Sequence, residues 1–353
     1  MQHIARALPR GNGQLPCVLD RAKAAAVSPV SEMENTQAPP VIDAVVIGRN
    51  EGARLIACLE SLSGRVRRVV YVDSGSTDGS VQAAKGAGAT VVALDMDLPF
   101  SAARARNAGL AALAEDPPGF VQVMDGDCAL RDGWISAAAQ TLAEHPRVAV
   151  VCGRRRERFP DASFYNAMID AEWDTPVGDA LACGGDALMR YSVVASAGGY
   201  REDLIAGEEP ELCLRLRVDG WQIRRIDAEM TWHDADMHRF GQWWKRSERA
   251  GHAFAEGSAR FSTPQMPHWV SETRRIWIWG LAIPLIALVG TLLHPAALLV
   301  LLLYPLQVLR LSRSMGLKPA VFNTLGKLAE GVGALRFYVR RLARGEAKLI
   351  EYK

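Results

Sequence analysis

Short apolar runs alternate with helix-type segments over the first half of the chain, after an N-terminal stretch without sustained periodicity. The apolar runs are rich in Val and Ile, and polar turns follow them. This alternation is typical of βαβ units and predicts an α/β fold with a mostly parallel central sheet. The pattern predicts strands over residues 41–47, 69–72, 90–94 and 120–124, and helices over residues 54–62, 81–86 and 102–114.

Polar side chains follow three of these strands. Asn50 and Glu51 follow the first, Asp73 follows the second, and Asp125 and Asp127 follow the fourth. Because ligands bind beyond the carboxyl ends of the strands in an open α/β sheet, we expect the three turns to converge on one crevice. The sequence lacks a GxGxxG pattern after the first strand and a GxxxxGK[ST] pattern, which disfavours a dinucleotide dehydrogenase and a P-loop enzyme.

Composition and charge narrow the classes of function. The chain has 353 residues, of which 49% are hydrophobic, enough for about two domains. The formal net charge is +2, so no nucleic-acid partner is expected. The six cysteines include no CxxC pair, which favours reduced thiols over a metal or disulfide framework. Residues 1–39 are predicted to be a disordered leader on composition.

The acidic turns suggest a cation and a nucleotide as ligands. Asp125 and Asp127 flank a glycine, and hard divalent cations often bind one or two carboxylates together with substrate phosphates. A solvated turn is the alternative, but the position after a buried-type strand favours the metal site. The Asp73 carboxylate can accept hydrogen bonds from a base or a ribose. Arg106 lies early in a helix, where it either faces solvent or contacts a nucleotide.

A cluster of carboxylates lies further along, in the segment GEEPE at residues 207–211. Close carboxylates repel one another unless they have separate partners or functions. Glu211 is expected to pair with Arg215 one helical turn later. Glu208 and Glu209 then remain at a predicted helix N-terminus, where the helix dipole favours negative charge.

Four motifs, in this order, resemble those of family 2 glycosyltransferases: VVIGRNE at 45–51, VDSGSTD at 72–78, ARNAG at 105–109 and DGD at 125–127. The resemblance extends from residue 41 to residue 254. It implies a GT-A fold, a nucleotide-diphosphate sugar donor, a divalent cation (Mn²⁺ or Mg²⁺) and inversion at the anomeric carbon. It also implies donor binding at Asn50, Glu51, Asp73 and Arg106, with Asp125 and Asp127 on ribose and the metal–diphosphate group.

The resemblance also indicates a catalytic base. Inverting transfer needs a general base beside the acceptor hydroxyl, opposite the leaving diphosphate. The GEE segment at residues 207–209 resembles the Glu-Asp motif of the family, with Glu in place of Asp at the second position. Glu209 is therefore the first candidate. Glu208 and Asp186, which follows a double glycine, are the alternatives.

Residues after the base motif supply candidates for the remaining contacts. His233 resembles the histidine that completes the metal or diphosphate site in related transferases, although a core or surface histidine is the alternative. Trp243 and Trp244 can stack on an acceptor sugar. Arg246 and Arg249 can hold the leaving diphosphate. The surrounding QWWKR segment only partly resembles the QxxRW motif of processive enzymes, so processivity does not follow.

The C-terminal region predicts a membrane attachment. Residues 276–309 contain no Asp, Glu, Lys or Arg, and arginines lie on both sides of the run. Because a spanning helix needs about 20 apolar residues and prolines interrupt this run, we predict a membrane hairpin over residues 270–313. A buried helical pair in a soluble domain is the alternative. Residues 314–353 are predicted to be a basic amphipathic helical tail on anionic lipid, and residues 40–260 the GT-A domain.

These observations predict a membrane-attached, metal-dependent inverting glycosyltransferase. It would transfer a sugar from a nucleotide sugar to a lipid-linked saccharide at the cytoplasmic face of the inner membrane, as in bacterial exopolysaccharide assembly. One alternative is a polyprenyl-phosphate glycosyltransferase, whose acceptor is the lipid phosphate. Another is a catalytically silent membrane scaffold with a GT-A fold, which the intact Asp125, Asp127 and Glu209 disfavour.

Overall fold

The computed structural model describes residues 40–343. The predicted leader, residues 1–39, and the last part of the predicted tail, residues 344–353, lie outside the described residues. Within the described range, nine strands form one sheet. They are β1 (Ile42–Gly48), β2 (Val69–Asp73), β3 (Thr90–Ala93), β4 (Phe120–Asp125), β5 (Cys128–Leu130), β6 (Val148–Glu157), β7 (Gly178–Ala180), β8 (Ala187–Arg190) and β9 (Gln222–His233).

The first four strands form the parallel half of the sheet, in the order β3-β2-β1-β4. The predicted α/β fold with parallel pairing of these strands is therefore confirmed. Ala44, Val45 and Val46 on β1 and Val121 and Val123 on β4 are completely buried. Strands that are buried on both faces need such continuous apolar runs, which explains why the sequence pattern located them well.

Three helices connect the parallel strands: α1 (Ala53–Leu62), α2 (Ser80–Gly86) and α3 (Ala102–Ala111). They agree with the predicted helices, except that α3 ends before the predicted residue 114. The buried face of α1 contains Leu55, Leu59 and Leu62, as predicted. On α3, Gly109 lies against Val45 on β1 with no room for a Cβ atom, so the helix packs closely on the sheet.

The second half of the sheet is mixed. β8 is antiparallel to both β4 and β6, β6 is parallel to β9, and β5 and β7 are antiparallel to β9. The sequence pattern had indicated only the parallel half. The helices of this part are α4 (Trp134–Glu144), α5 (Phe164–Glu172), α6 (Tyr191–Ser196) and α7 (Glu208–Val218), with a 3₁₀ turn at Pro160–Ala162.

Residues 240–342 are mostly helical, and we call them the helical layer. It contains α8 (Phe240–Phe261), α9 (Val270–Arg275), a π-helical segment (Ile276–Ala282), α10 (Ile283–Gly290), a 3₁₀ segment (Pro295–Leu302), α11 (Leu303–Met315) and α12 (Leu317–Leu342). Gly251 on α8 lies against Glu330 on α12, and Gly333 on α12 lies against Glu248 on α8. The predicted tail is therefore helical up to Leu342, and it shares a packed interface with the predicted GT-A domain.

Two helical arms, Val270–Gly290 and Pro295–Met315, extend from this layer, and each is 21 residues long and apolar enough to cross a membrane. Only 28% of the apolar window of the first arm is buried, and 0% of the second. Leu288, Leu292 and Leu293 are 72%, 84% and 88% exposed. This exposure contradicts the alternative of a buried helical pair, because core helices are covered by protein. The two arms have the geometry expected for a hairpin.

Candidate active site

The turns after β2, β1 and β4 lie side by side at one edge of the sheet. The Asn50 N–H donates to the Ser76 hydroxyl at 2.9 Å, and the Asn50 side-chain oxygen accepts from the Thr77 N–H at 2.7 Å. The Gly126 N–H donates to the Ile47 carbonyl at 2.8 Å. The predicted convergence of the three polar turns is confirmed, because neighbouring parallel strands end at the same edge.

Asp73 holds the turn after β2 in place. It is 5% exposed, and its Oδ2 accepts from the N–H groups of Gly75 and Ser76 at 3.1 and 2.9 Å. Its Oδ1 accepts from the Tyr71 hydroxyl at 3.1 Å. These bonds fix the backbone of the turn that the resemblance assigns to the nucleoside.

Glu51 lies between the turns after β1 and β4. Its Oε2 is 2.8 Å from Arg54 Nη2. Its Cγ is 3.3 Å and 3.4 Å from the positions that a Cβ on Gly48 and on Gly126 would occupy. The two glycines therefore allow Glu51 to reach the crevice between the strand ends.

Arg106 connects the strand-end turns to the second half of the chain. It is 2% exposed, and its Nη2 donates to Asp125 Oδ1 at 2.9 Å. Its Nη1 lies 2.7 Å from Glu208 Oε1 and 3.0 Å from Glu209 Oε1. A buried guanidinium needs such carboxylate partners, since burying an uncompensated charge is costly. The first Asp of the DGD motif and two of the three candidate bases thus share one arginine.

Glu209 has the electrostatic setting of a general base. Burial and the adjacent Glu208 carboxylate raise the pKa of Glu209 to about 7, although Arg106 opposes the shift. A carboxyl group with this pKa can accept a proton near neutral pH, which is the property that general base catalysis requires. α7 begins at Glu208, as predicted, and Glu211 forms the expected pair with Arg215 at 2.8 Å.

Asp186 positions Asp125. It is completely buried, its Oδ1 accepts from the Asp125 N–H at 3.2 Å, and its Oδ2 accepts from the Thr231 hydroxyl at 2.7 Å. Arg155 Nη2 lies 2.9 Å from the same Oδ2. Because both oxygens are occupied and enclosed, Asp186 is poorly placed to take a proton from an acceptor. The geometry favours Glu209 over this alternative.

Asp127 and His233 can supply two ligands to a cation, because a carboxylate oxygen and an imidazole nitrogen face each other. Asp127 Oδ2 is 3.5 Å from His233 Nε2, and both residues are buried. His233 Nδ1 lies 3.9 Å from Glu157 Oε2, which is too far for a hydrogen bond. Cys128 lies in the same cluster, but burial raises the pKa of its thiol well above the usual range. The residues therefore fit a hard cation better than a thiolate-bound one.

The positive groups that stabilise this acidic site come partly from a strand that the sequence analysis did not single out. Residues 154–156 are three consecutive arginines on β6. Arg154 and Arg156 both contact Asp170, at 3.3 and 3.0 Å, whereas Arg155 contacts Asp186. Successive side chains on a strand point to opposite faces, so Arg155 faces away from Arg154 and Arg156. The run of three arginines within a strand was the sequence signal that could have identified Arg155.

The tryptophans and arginines predicted for the acceptor side lie in or against the helical layer. Trp243 is 4% exposed and is enclosed by the rings of Phe240 and Phe322, with centroids 5.2 and 5.0 Å away. Because Trp243 is almost fully enclosed by protein, a sugar cannot stack on it from solvent, and the half-buried Trp244 is the better candidate for stacking.

The two arginines of the same helix that were predicted to hold the diphosphate have protein partners. Arg246 forms a two-pronged pair with Glu172 on α5 at 3.0 and 2.9 Å. Arg249 donates to the Ile205 carbonyl at 3.0 Å, in the loop that leads to α7. Neither contact is to the strand-end turns, so diphosphate binding by these arginines stays a prediction.

The chain is similar in sequence and in fold to known proteins. Residues 43–188 match the family described as Glycosyl transferase family 2. These residues are a family 2 glycosyltransferase domain. Over 215 residues the chain is 28% identical to the pre-mycofactocin glycosyltransferases of the Mycobacterium tuberculosis strains CDC 1551 / Oshkosh and ATCC 25618 / H37Rv. The match covers 55% of this chain and 42% of each relative, so the chain spans less than half the length of these curated relatives.

The fold is also similar to that of a solved mannosyltransferase from Pyrobaculum calidifontis, described in complex with GDP-Man and Mn²⁺. The TM-score is 0.59 at 19% identity, and the superposition covers 88% of this chain and 90% of the mannosyltransferase. The match confirms the predicted family for residues 43–188, and the shared fold confirms the predicted GT-A type of fold.

Proposed function

We propose that this protein is a metal-dependent inverting glycosyltransferase that transfers a sugar from a nucleotide-diphosphate sugar to a lipid-linked saccharide. One observation carries the proposal. Arg106 joins Asp125, in the motif assigned to the donor, to Glu209, a carboxylate whose pKa is about 7. A carboxylate on the donor side and a base with a pKa near neutral pH therefore lie in one buried cluster. This arrangement suits a displacement that needs the donor and the acceptor next to each other.

Glu209 takes the proton of the acceptor hydroxyl as that oxygen bonds to the anomeric carbon. The bond from the anomeric carbon to the diphosphate oxygen breaks on the opposite face, which inverts the configuration. Arg106 keeps the carboxylate in place. After transfer, the proton leaves Glu209 to solvent, and the nucleoside diphosphate leaves the strand-end turns.

The donor and the cation are assigned to the strand-end turns. Asn50, Glu51 and Asp73 bind the nucleoside part, in line with the family resemblance. Asp127 and His233, with Asp125 nearby, would hold Mn²⁺ or Mg²⁺, which neutralises charge on the leaving diphosphate. The fold shared with a mannosyltransferase described with GDP-Man and Mn²⁺ supports this assignment.

The exposed apolar arms support a lipid-linked acceptor and attachment at the cytoplasmic face of the inner membrane. An apolar surface of this size is costly in water and stable in a bilayer. Arginines lie at both roots of the hairpin, Arg274 and Arg275 before the uncharged run 276–309 and Arg310 and Arg313 after that run. They favour the cytoplasmic side for both ends.

Cysteine labelling in sealed cells tests this topology. The five described cysteines are all buried, and Cys17 lies outside the described residues. With Cys17 replaced by serine, cysteines introduced at Thr263, His294 and Ser314 can be read separately. We expect positions 263 and 314 to be protected from an impermeant reagent outside, and the label at 294 reports how deeply the tip reaches. Access from outside at 314 but not at 263 would mean a single span and would contradict the hairpin.

The activity is tested with purified full-length protein in lipid, a panel of nucleotide sugars, and Mn²⁺, Mg²⁺ or a chelator. Cation-dependent release of nucleoside diphosphate from one donor is the expected result. No release from any donor would favour the silent scaffold. A product in which the sugar is attached directly to lipid phosphate would favour the polyprenyl-phosphate glycosyltransferase.

A further inference from the structure

A cavity of about 370 Å³ lies between α5, α8 and α12, outside the strand-end turns. This volume is within the range of small-molecule pockets. Its wall is mainly apolar and includes Phe164, Met168, Trp243, Met315 and Phe322. We call it the three-helix pocket. A ligand that packs against such a wall must have an apolar part.

One side of the three-helix pocket adjoins the root of the hairpin. Met315, which lines the pocket, is the last residue of the apolar arm Pro295–Met315. Leu306 and Leu309 on that arm are 59% and 57% exposed. At the same side, the Lys318 ammonium lies 4.0 Å from the centre of the Phe164 ring. If the arms lie in a bilayer, an apolar chain can pass from the lipid into the pocket with little exposure to water.

The other side of the three-helix pocket is polar and leads towards the candidate active site. Arg246 and Glu172, paired at 2.9 Å, both line it. The residue after Glu172 is Trp173, whose ring contacts the His233 ring edge-on at 4.8 Å. His233 in turn faces Asp127. Trp173 therefore connects Glu172, at the polar end of the pocket, to His233, a candidate metal ligand.

We propose that the three-helix pocket binds the first carbons of the acceptor's lipid chain and directs the attached phosphate and saccharide towards Glu209. This inference rests on the proposed function. An amphiphile fits because the pocket is apolar beside the hairpin and polar beside the catalytic centre. Trp243 and Arg246, which line the pocket, then act on the acceptor side. They contact its lipid chain and its phosphate instead of stacking on the sugar.

The test uses photoreactive farnesyl phosphate carrying a diazirine and the full chain in nanodiscs of phosphatidylethanolamine and phosphatidylglycerol, without a nucleotide sugar. Ala171 is exposed and lines the pocket, so Ala171→Phe blocks it without filling the core. Ala111→Phe, at an exposed position of α3, is the matched control. We expect labelled peptides from α5 and α12, and labelling at least about 10-fold weaker in Ala171→Phe, because excluding about two methylene groups already has that effect. Ala111→Phe should label like the unmodified protein.

Competition identifies the source of the lipid. Unlabelled farnesyl phosphate should suppress labelling, and dihexanoyl phosphatidylglycerol at the same concentration should not. Equal suppression by both would show a general phospholipid site and overturn the proposal, as would labelling that Ala171→Phe leaves unchanged. Donor hydrolysis is measured on the same preparations. Failed labelling with intact hydrolysis contradicts the pocket alone, whereas intact labelling without turnover of any donor contradicts the proposed function.

Discussion

The strand-end turns and the helical layer place their functional groups in different ways. Asp73 and Asp125 are the last residues of β2 and β4, and Asn50 follows two residues after β1. Their positions follow directly from where the strands end. In the helical layer, by contrast, Trp243 and Arg246 are placed by contacts with residues from distant parts of the chain. Local sequence is therefore a good guide to the first region and a poor guide to the second.

The candidate bases lie where the two regions meet. Arg106 on α3 holds Glu208 and Glu209 from the side of the strand-end turns. From the other side, Trp269, at the start of the hairpin, lies 2.8 Å from the position of a Cβ on Gly207, the residue before α7. If this comparison is correct, substitutions should have their largest effects in the strand-end turns and smaller ones towards the hairpin.

The largest effect is expected at Asp127. Asp127→Ala should lower transfer by at least about 10³-fold, since a bound cation contributes several kcal/mol of charge stabilisation at the leaving diphosphate. Turnover is measured over a range of Mn²⁺ and Mg²⁺ concentrations, with the melting temperature as a check of folding. Asp219→Ala, an exposed residue at the far end of α7, is the control and should be near normal. Near-normal turnover of Asp127→Ala would show that the cation does not bind at this turn.

Glu209→Gln should lower the transfer rate by at least about 10²-fold, because glutamine keeps the size of the side chain and cannot accept the proton. Donor affinity, measured by calorimetry, should change little. Parallel measurements on Glu208→Gln and Asp186→Asn decide between the candidates. A larger loss of rate at either of these residues would move the base there, and equal losses of affinity and rate at Glu209 would indicate a donor-binding role.

Gly185→Ala adds one Cβ atom and tests whether the pairing of Arg106 with Asp125 is needed for activity. A Cβ at this position would lie 2.8 Å from both Arg106 Nη2 and Asp125 Oδ2, so their pairing must shift. We expect transfer to fall by about 30-fold, since small displacements of catalytic groups are costly. Gly184→Ala is the matched control, because its Cβ would meet no atom within 4 Å. Similar activity of the two variants would show that the Arg106 pairing is not needed.

Trp269→Ala tests whether the hairpin root helps to position the base. Trp269 has a φ of 53°, unusual for a bulky residue, and also lies against Gly257 on α8. We expect kcat to fall by about 10-fold with little change in donor KM, and Trp269→Phe to recover most of the loss. Trp277→Ala, on the same arm and 40% exposed, is the control. A change in donor KM with unchanged kcat would contradict a role in positioning the base.

The smallest expected effect is on the pH profile. Because the pKa of Glu209 is raised to about 7, the ionised base is lost as the pH falls through about 7, and kcat/KM should fall with it. Glu208 contributes to the raised pKa, so Glu208→Gln should move the inflection to lower pH. An inflection near the ordinary pKa of glutamate in the unmodified protein would show that Glu209 is not the titrating base.

The sequence by itself determined the parallel half of the fold, the three acidic turns and the apolar arms. Those features depend on local patterns: continuous apolar runs for buried strands, polar residues where the strands end, and a long run without charges. Only the tertiary structure decided which charges meet. Arg106 and Glu208 are 102 residues apart in the chain, and Arg155 reaches Asp186 only because β6 and β8 pair. Such contacts depend on long-range strand order and helix packing, which no short sequence pattern encodes.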